Sequence, residues 1–336
     1  MSYTEDRDGY AIETTWCDGT TIDAAGDTTY LMGALASRNE WPSPTYSAVY
    51  SAPGVNAKEV GASKVFKSKA EYRGMITLML QNGIPIMLAM GKSTTPAPAG
   101  AIYTHTITPY TDGTQLPSVV WQHEEKGTGT NEEYQFQGCK VDSLVLSHDF
   151  SGPDMLMGKM EIMGGASIDP GFASTNDPAL PATANADPFI NLTRTWDYLG
   201  TDTDLTGLVK VEISIINALT PKYSPSWDTV YTGRDPYMLK EANRKQYMVH
   251  LTIHPDTVER EIWDELITAS NLKELYFKWQ RSATDYIAVT CTDCEVLRHD
   301  IVTDVDAPLK LVVIEMEPRA LSFTVVDSIE ETAYNE

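Results

Sequence analysis

The chain of 336 residues carries 47 acidic against 25 basic side chains, a formal charge of −22. That balance disfavours tight binding to DNA, RNA or an anionic membrane, each of which needs clustered Lys and Arg. With 42% hydrophobic residues the chain can bury a core, and its 17 Tyr and 7 Trp suit pleated surfaces.

Residues 1–60 are rich in Gly, Ser, Thr and Pro, and TWCDGTT, WPSPTY and SAPG read as an extended arm with loops. Such a long irregular lead suits contact with a neighbouring chain. The polar start MSYTEDRDGY has no apolar core of a secretory signal, so synthesis and retention in a cytoplasm are expected. KVFKSKAEYRGMITLMLQ (64–81) alternates and then turns continuously apolar, as strands do when both faces become covered. IPIMLAM (84–90) follows as a short buried segment, far too short to span a bilayer as a helix. TTPAPAG (94–100) reads as a turn, and IYTHTITPY (102–110), SVVWQHEE (118–125) and EYQFQGCKVDSLVLSHDF (133–150) as strands. Gly138 in mid-run predicts a bulge or a close backbone approach.

The stretch 164–188 is of low complexity and separates two halves. LTGLVKVEISIINALTPKYS (205–224) and KQYMVHLTIH (245–254) resume strand alternation. PDTVEREIWDELITASNL (255–272) is the convincing helix. Its Asp256/Glu259 capping pair, Pro255 at the start, and the stripe of Val258, Ile262 and Leu266 predict one face laid on a sheet near 256–270. KELYFKWQ (273–280), YIAVTCTD (286–293), LKLVVIEMEP (309–318) and ALSFTVVD (320–327) return to strand.

The two halves echo one another. FQGCKVDSLVLSHDF (136–150) and CTDCEVLRHDIVTD (291–304) share Cys, a spacer, Val and a His-Asp pair. Each leads into an apolar segment holding an acid that reads as buried, GKMEIMG (158–164) and LVVIEMEP (311–318). Matching Cys139 with Cys294 sets an offset of 155, and matching His148 with His299 one of 151, so two registers compete. The expected fold is mainly β, with two sandwich-like or barrel-like units of about one helix each, arising by internal duplication. The expected division is an N-terminal arm over 1–60, a first unit over 61–170, a linker over 171–204 and a second unit over 205–330. Open sheets of this kind leave unpaired edges, and closing them into a ring of identical subunits satisfies those edges.

The sequence resembles the tail tube proteins of tailed bacteriophages and archaeal tailed viruses. The likeness lies in YAIETTW (10–16), SKAEYRGMITLML (68–80), GIPIMLAMG (83–91), YTHTITP (103–109), YQFQGCKVDSLVLS (134–147), LVKVEISIIN (208–217) and the block 245–280. The resemblance implies a structural virion protein of the tail, built in the host cytoplasm, whose rings stack into a hollow tube for DNA delivery. It implies self-assembly, with three two-unit chains making a pseudo-sixfold ring or six chains a hexamer. Contacts with tape measure and terminator proteins, DNA passing through the lumen without specific binding, and no membrane partner follow from the same likeness. It brings no catalytic, cofactor-binding or metal-binding residues, so the expectation is that the chain is not an enzyme. A distal tail or hub ring protein is the nearby alternative, and a carbohydrate-binding β-sandwich the reading of another class. The acidic balance suits either solubility or a wall that repels passing phosphate.

Other chemistry is weak at this stage. Cys291-Thr-Asp-Cys294 has metal-ligand spacing but no second close pair, and residues three apart on a flat strand point to opposite faces, so Cys17, Cys139, Cys291 and Cys294 read as structural thiols. His250 and His254 lack the intervening Glu of a zinc protease. Glu124-Glu125 and Glu132-Glu133 flank KGTGTN as the polar stem of a hairpin. Trp196, Trp227, Trp263 and Trp279 are expected in core packing.

Overall fold

A computed structural model describes residues 3–13, 15–17, 30–31, 34–35, 40–50, 65–94, 100–110, 116–127, 131–152, 154–168, 187–198, 201–223, 235–241, 245–255, 259–260, 262–263, 273–302 and 310–329. In chain order the first half holds β1 (Tyr3–Ile12), β2 (Tyr30–Leu31), β3 (Ala34–Leu35), β4 (Pro44–Tyr50), β5 (Val65–Met79), α1 (Ile84–Met90), β6 (Gly91–Thr94), β7 (Tyr103–Pro109), β8 (Val119–Gly127), β9 (Asn131–Asp149), β10 (Met157–Gly164) and β11 (Ala166–Ile168). The second half holds β12 (Asn191–Tyr198), β13 (Thr201–Asp204), β14 (Leu208–Ile216), β15 (Thr220–Lys222), β16 (Met238–Lys240), β17 (Gln246–Ile253), β18 (Lys273–Ser282), β19 (Asp285–Val302) and β20 (Leu311–Asp327).

The protein is mainly β, and every strand pairing among the described residues is antiparallel. Eighteen strands form one hydrogen-bonded network, with β15 and β16 as a separate pair. Across the middle runs β5, β10, β9, β14, β17, β20 and β19, so a single sheet crosses from one half to the other through the β9–β14 ladder. Among the described residues no sheet closes on itself.

Several elements differ from the sequence reading. Residues 3–12 are no free arm: β1 pairs along its length with β8 and buries Tyr10 completely. Its acids, on the remaining positions, masked the alternation. Strands β12 and β13 fall inside the expected linker 171–204. The two runs on either side of Pro318 are one strand, β20, with Pro318 opposite Cys294. The short segment 84–90 is a helix with every residue buried. Of the expected helix 256–270, residues 259–260 and 262–263 are helical and the rest lie outside the described residues, as do Trp227 and the turn 95–99.

The halves repeat not only in strand order but in register. In the first, β5, β10, β9 and β8 are neighbours; in the second, β17, β20, β19 and β18 are. The pairs Gly158↔Leu146, Met160↔Leu144 and Ile162↔Val141 correspond to Val312↔Ile301, Ile314↔His299 and Met316↔Val296. Both ladders carry one extra residue at the same point, Asp142 in β9 and Leu297 in β19. The outer pairings agree too, since β1 holds Tyr10 opposite Trp121 where β12 holds Trp196 opposite Leu275. Helix α1 starts five residues after Met79, and residue 259 lies as far beyond the corresponding His254.

A second bulge makes the correspondence specific. Between Trp121↔Phe136 and Val119↔Cys139 the long strand gains a residue, as it does between Leu275↔Cys291 and Lys273↔Cys294. The residue before each cysteine is left-handed, Gly138 at φ +62° and Asp293 at φ +55°. Each thiol then donates to the carbonyl three residues back, Cys139 Sγ to Phe136 O at 3.2 Å and Cys294 Sγ to Cys291 O at 3.3 Å. The offset of 155 is therefore the structural one. His299 takes the place of Leu144 rather than of His148, and the shared His-Asp pair is coincidental. The acids read as buried are Glu161, which is exposed, and Glu315, which is half-buried, because both stand on the open face.

The core is continuous. Tyr10, Trp121 and Phe136 share one buried cluster with Ile76, Leu144, Ile213, Leu251, Phe277 and Phe323. Helix α1 ends against the second half: Asn217 Nδ2 donates to Ala89 O at 3.0 Å and Lys245 Nζ to Met90 O at 2.9 Å. These side chains satisfy carbonyls that a helix end leaves orphaned.

The two left-handed positions differ in their surroundings. A Cβ at Gly138 would lie 2.3 Å from Cys17 Sγ and 2.8 Å from Trp16 Nε1. Asp293 already carries a side chain there. Gly138→Ala is expected to lower stability by about 2 kcal/mol or more in urea unfolding, whereas Asp293→Gly stays within about 1 kcal/mol of the parent, because relief of left-handed strain offsets the looser unfolded chain.

Candidate functional site

The feature with functional potential is the face of the continuous sheet turned away from the core, together with its two ends. Strand alternation puts Ile76, Leu144, Ile213, Leu251 and Ile314 inside, so their neighbours face outward. The outward row includes Glu71 and Arg73 on β5, Lys159 and Glu161 on β10, and Asp149 on β9. It continues with Lys210 and Glu212 on β14, His250 on β17, Glu315 and Glu317 on β20, and Arg298 and Asp300 on β19. Glu212, His250 and Glu315 stand side by side across three strands. Three of the bases are held locally: Arg73 Nε meets Glu71 Oε1 at 2.5 Å, Lys210 Nζ meets Glu212 Oε1 at 3.0 Å, and Arg298 pairs with Asp300. Such exposed pairs add little stability but leave the surplus acids to set the sign of the face.

At the β9–β14 junction the bulge residue Asp142 anchors the second half. Its carbonyl accepts from Asn217 N at 2.8 Å and its Oδ1 from Leu219 N at 2.5 Å. Burial raises the Asp142 pKa, opposed by the Leu219 amide and by Arg73, whose Nη1 lies 3.8 Å from Oδ2. On the core side, Trp279 Nε1 donates to His148 Nδ1 at 3.1 Å. An indole N–H only donates, so Nδ1 accepts and Nε2–H donates to Asp154 Oδ1 at 2.7 Å. His148 thereby ties β9 to β18 from inside. In the second half His299 Nε2 meets Glu259 Oε1 at 2.6 Å, and its ring meets Trp263 edge-on.

Cys291 and Cys294 do not point to opposite faces: the left-handed Asp293 turns both inward, and both are buried. Burial raises the Cys291 pKa well above the ordinary value and pushes Cys294 up to about 12. A thiol so protonated is a poor nucleophile and a poor metal ligand. Burial likewise raises Cys139, with Glu13 adding to it.

His250 and His254 share a face on and just beyond β17, about 13 Å apart at strand spacing, too far for one ion. His254 Nδ1 instead meets Lys310 O at 3.4 Å. The four glutamates form the expected hairpin, with Glu124 opposite Glu133 and Glu125 opposite Glu132, while residues 128–130 at its tip lie outside the described residues. Trp196 and Trp279 are core residues, and Trp263 is exposed. Among the described residues no group of three His, Cys, Asp or Glu could hold a metal ion, and no helix is long and apolar enough to cross a membrane. The sequence reading missed Asn217, Asp142 and Lys140, polar residues whose junction role depends on partners more than 75 positions away.

No protein-family model matches the chain, and no curated protein matches it.

Lys140 sits buried beside the first bulge, its Nζ 3.9 Å from Glu241 Oε1. Burial lowers its pKa, while Glu241 and Glu13 pull it back up. Within the window between that lowered value and the ordinary lysine value of about 10.4, the unfolded chain holds more proton. Stability contributed by this site therefore rises with pH through the window. Lys140→Met is expected to remove that rise, read as the difference between parent and variant urea midpoints from pH 7 to 10.

Proposed function

We infer that the chain is a structural tail tube subunit whose two repeated β units arose by duplication and build a ring around a passage for viral DNA. The observation that carries this reading is the register-matched repeat, joined edge to edge inside the chain and left, among the described residues, with an unpaired edge at each end. An unpaired edge of this kind is a template for another chain, and polymerisation or ring closure satisfies it. The resemblance in YTHTITP (103–109) and GCKVDSLVLS (138–147) gives the direction, and three chains of two units make six positions around the ring.

In this reading the outward face of the continuous sheet lines the bore. Its work there is to interact weakly. DNA carries a phosphate charge at every step, and each Lys or Arg able to hold one would add affinity and a salt-dependent trap. Glu161, Glu212 and Glu315 repel phosphate, while Arg73, Lys210 and Arg298 are tied to neighbouring carboxylates. No chemistry is required, and the ring acts as a conduit in the virion tail, with tape measure and terminator proteins setting its length and end.

Electron microscopy and native mass spectrometry of purified chain at rising concentration test the assembly. Stacked rings of three chains are the expected outcome. Single rings that never stack move the reading to a distal tail or hub component, and single chains at every concentration overturn it. For the bore, tubes carrying Glu161→Lys, Glu212→Lys and Glu315→Lys are expected to retain DNA at low salt at least ~10-fold more than the parent, with retention lost as salt rises. Equal retention by both would place this face away from the passage.

A further inference from the structure

We propose that a second copy of this chain completes the open end of the sheet, the segment around its Glu40 pairing with the free edge of β19 at the place where β14 pairs with β9. The pairing rests on the self-assembling reading and names the edges that do it.

The template is internal. Strand β14 lies between β17 of its own half and the C-terminal part of β9 of the other, with Lys210↔Asp149, Glu212↔Ser147 and Ile213↔Leu146. The part of β19 that corresponds to this stretch of β9 pairs with β20 on one side, and no described strand lies on the other. The contrast in burial is direct. Leu146 is 1% exposed beneath the ladder to β14, and Ile301, at the matching position, is 59% exposed. Leu297 and Trp263 beside it are also exposed apolar side chains. A solvent-facing edge strand that carries Leu297 and Ile301 is the pattern of an unfilled pairing site rather than of a protected edge.

The complementary edge belongs to the first half. Glu40 forms a two-way bridge with Met75, its amide donating to Met75 O at 2.8 Å and its carbonyl accepting from Met75 N at 2.7 Å. Met75 corresponds to His250, which faces Glu212, so Glu40 occupies the place of Glu212. Gly74 lets the segment lie this close, since a Cβ there would meet Glu40 O at 2.6 Å and Pro42 N at 2.7 Å. Beyond residues 40–44, away from β5, no described strand follows. Pairing edge to edge on this template is head-to-tail: each chain offers β19 to one neighbour and its 40–44 segment to another. That is the heterologous geometry from which rings are built, unlike the self-complementary patch of a two-fold dimer. Glu40 then faces Val302 as Glu212 faces Ser147.

Two variants with one added cysteine each, Glu40→Cys and Val302→Cys, are mixed and oxidised, and assembly is followed in parallel by native mass. A disulfide-linked pair in the mixture, at least ~10-fold above either variant alone, supports the pairing. Self-linking of one variant to the same extent indicates a two-fold contact and overturns it. Rings without mixed linkage overturn the pairing while leaving the ring reading intact, and absence of any association overturns both. Ile301→Asp serves as a second arm. Its side chain is already exposed, so the fold, checked by circular dichroism, is retained and association falls at least ~10-fold. Unchanged association overturns the pairing.

Discussion

Backbone hydrogen bonding governs this protein. Almost every described element is a strand, and each strand leaves N–H and C=O groups along both sides that must find partners. Within the chain the solution is a sheet that passes from one half into the other through the β9–β14 ladder, so the two halves share a wall and a core. The same demand remains at the outer borders, where β19 and the segment near Glu40 are the last of the described strands.

The long strands β9 and β19 meet this demand by serving two neighbourhoods at once. One stretch of each belongs to the shared sheet and the other to a smaller set of strands. A pleated strand does not make that transition with its ladder intact. A left-handed residue, Gly138 or Asp293, inserts the extra position, and a buried cysteine behind it spends its S–H on the carbonyl three residues earlier. The thiols are thus part of the bend, and their burial disfavours the redox or metal chemistry that their spacing suggests. The halves differ in what surrounds this common bend. In the first, Glu13 and Trp16 clamp Gly138, with Gly138 N donating to Glu13 Oε1 at 2.9 Å and Trp16 Nε1 to Gly138 O at 3.0 Å. In the second, helical residues Glu259 and Trp263 attend His299.

Much of the strand plan was legible because its signal is local. Alternation located β5, β8, β9, β14, β17, β18 and β19, and Gly138 announced its bulge. The Cys-spacer-Val echo pointed to the repeat, while the His-Asp echo misled, because two letters shared by chance weigh as much in a sequence as two that share a backbone position. Strand β1 was hidden because its acids obscured the alternation around Tyr10. The inward turn of Cys291 and Cys294 was hidden because it depends on the sign of one φ angle.

The sequence by itself determined the class of structure, the acidic character and the existence of two similar halves, since these follow from composition and from a period of two residues. Only the tertiary structure decided which register relates the halves, that one sheet joins them, and which borders stay open. The physical reason is that strand pairing is non-local. Ile301 and Leu146 are both aliphatic residues in similar runs, and only the presence of β14 beside one of them makes the first exposed and the second core.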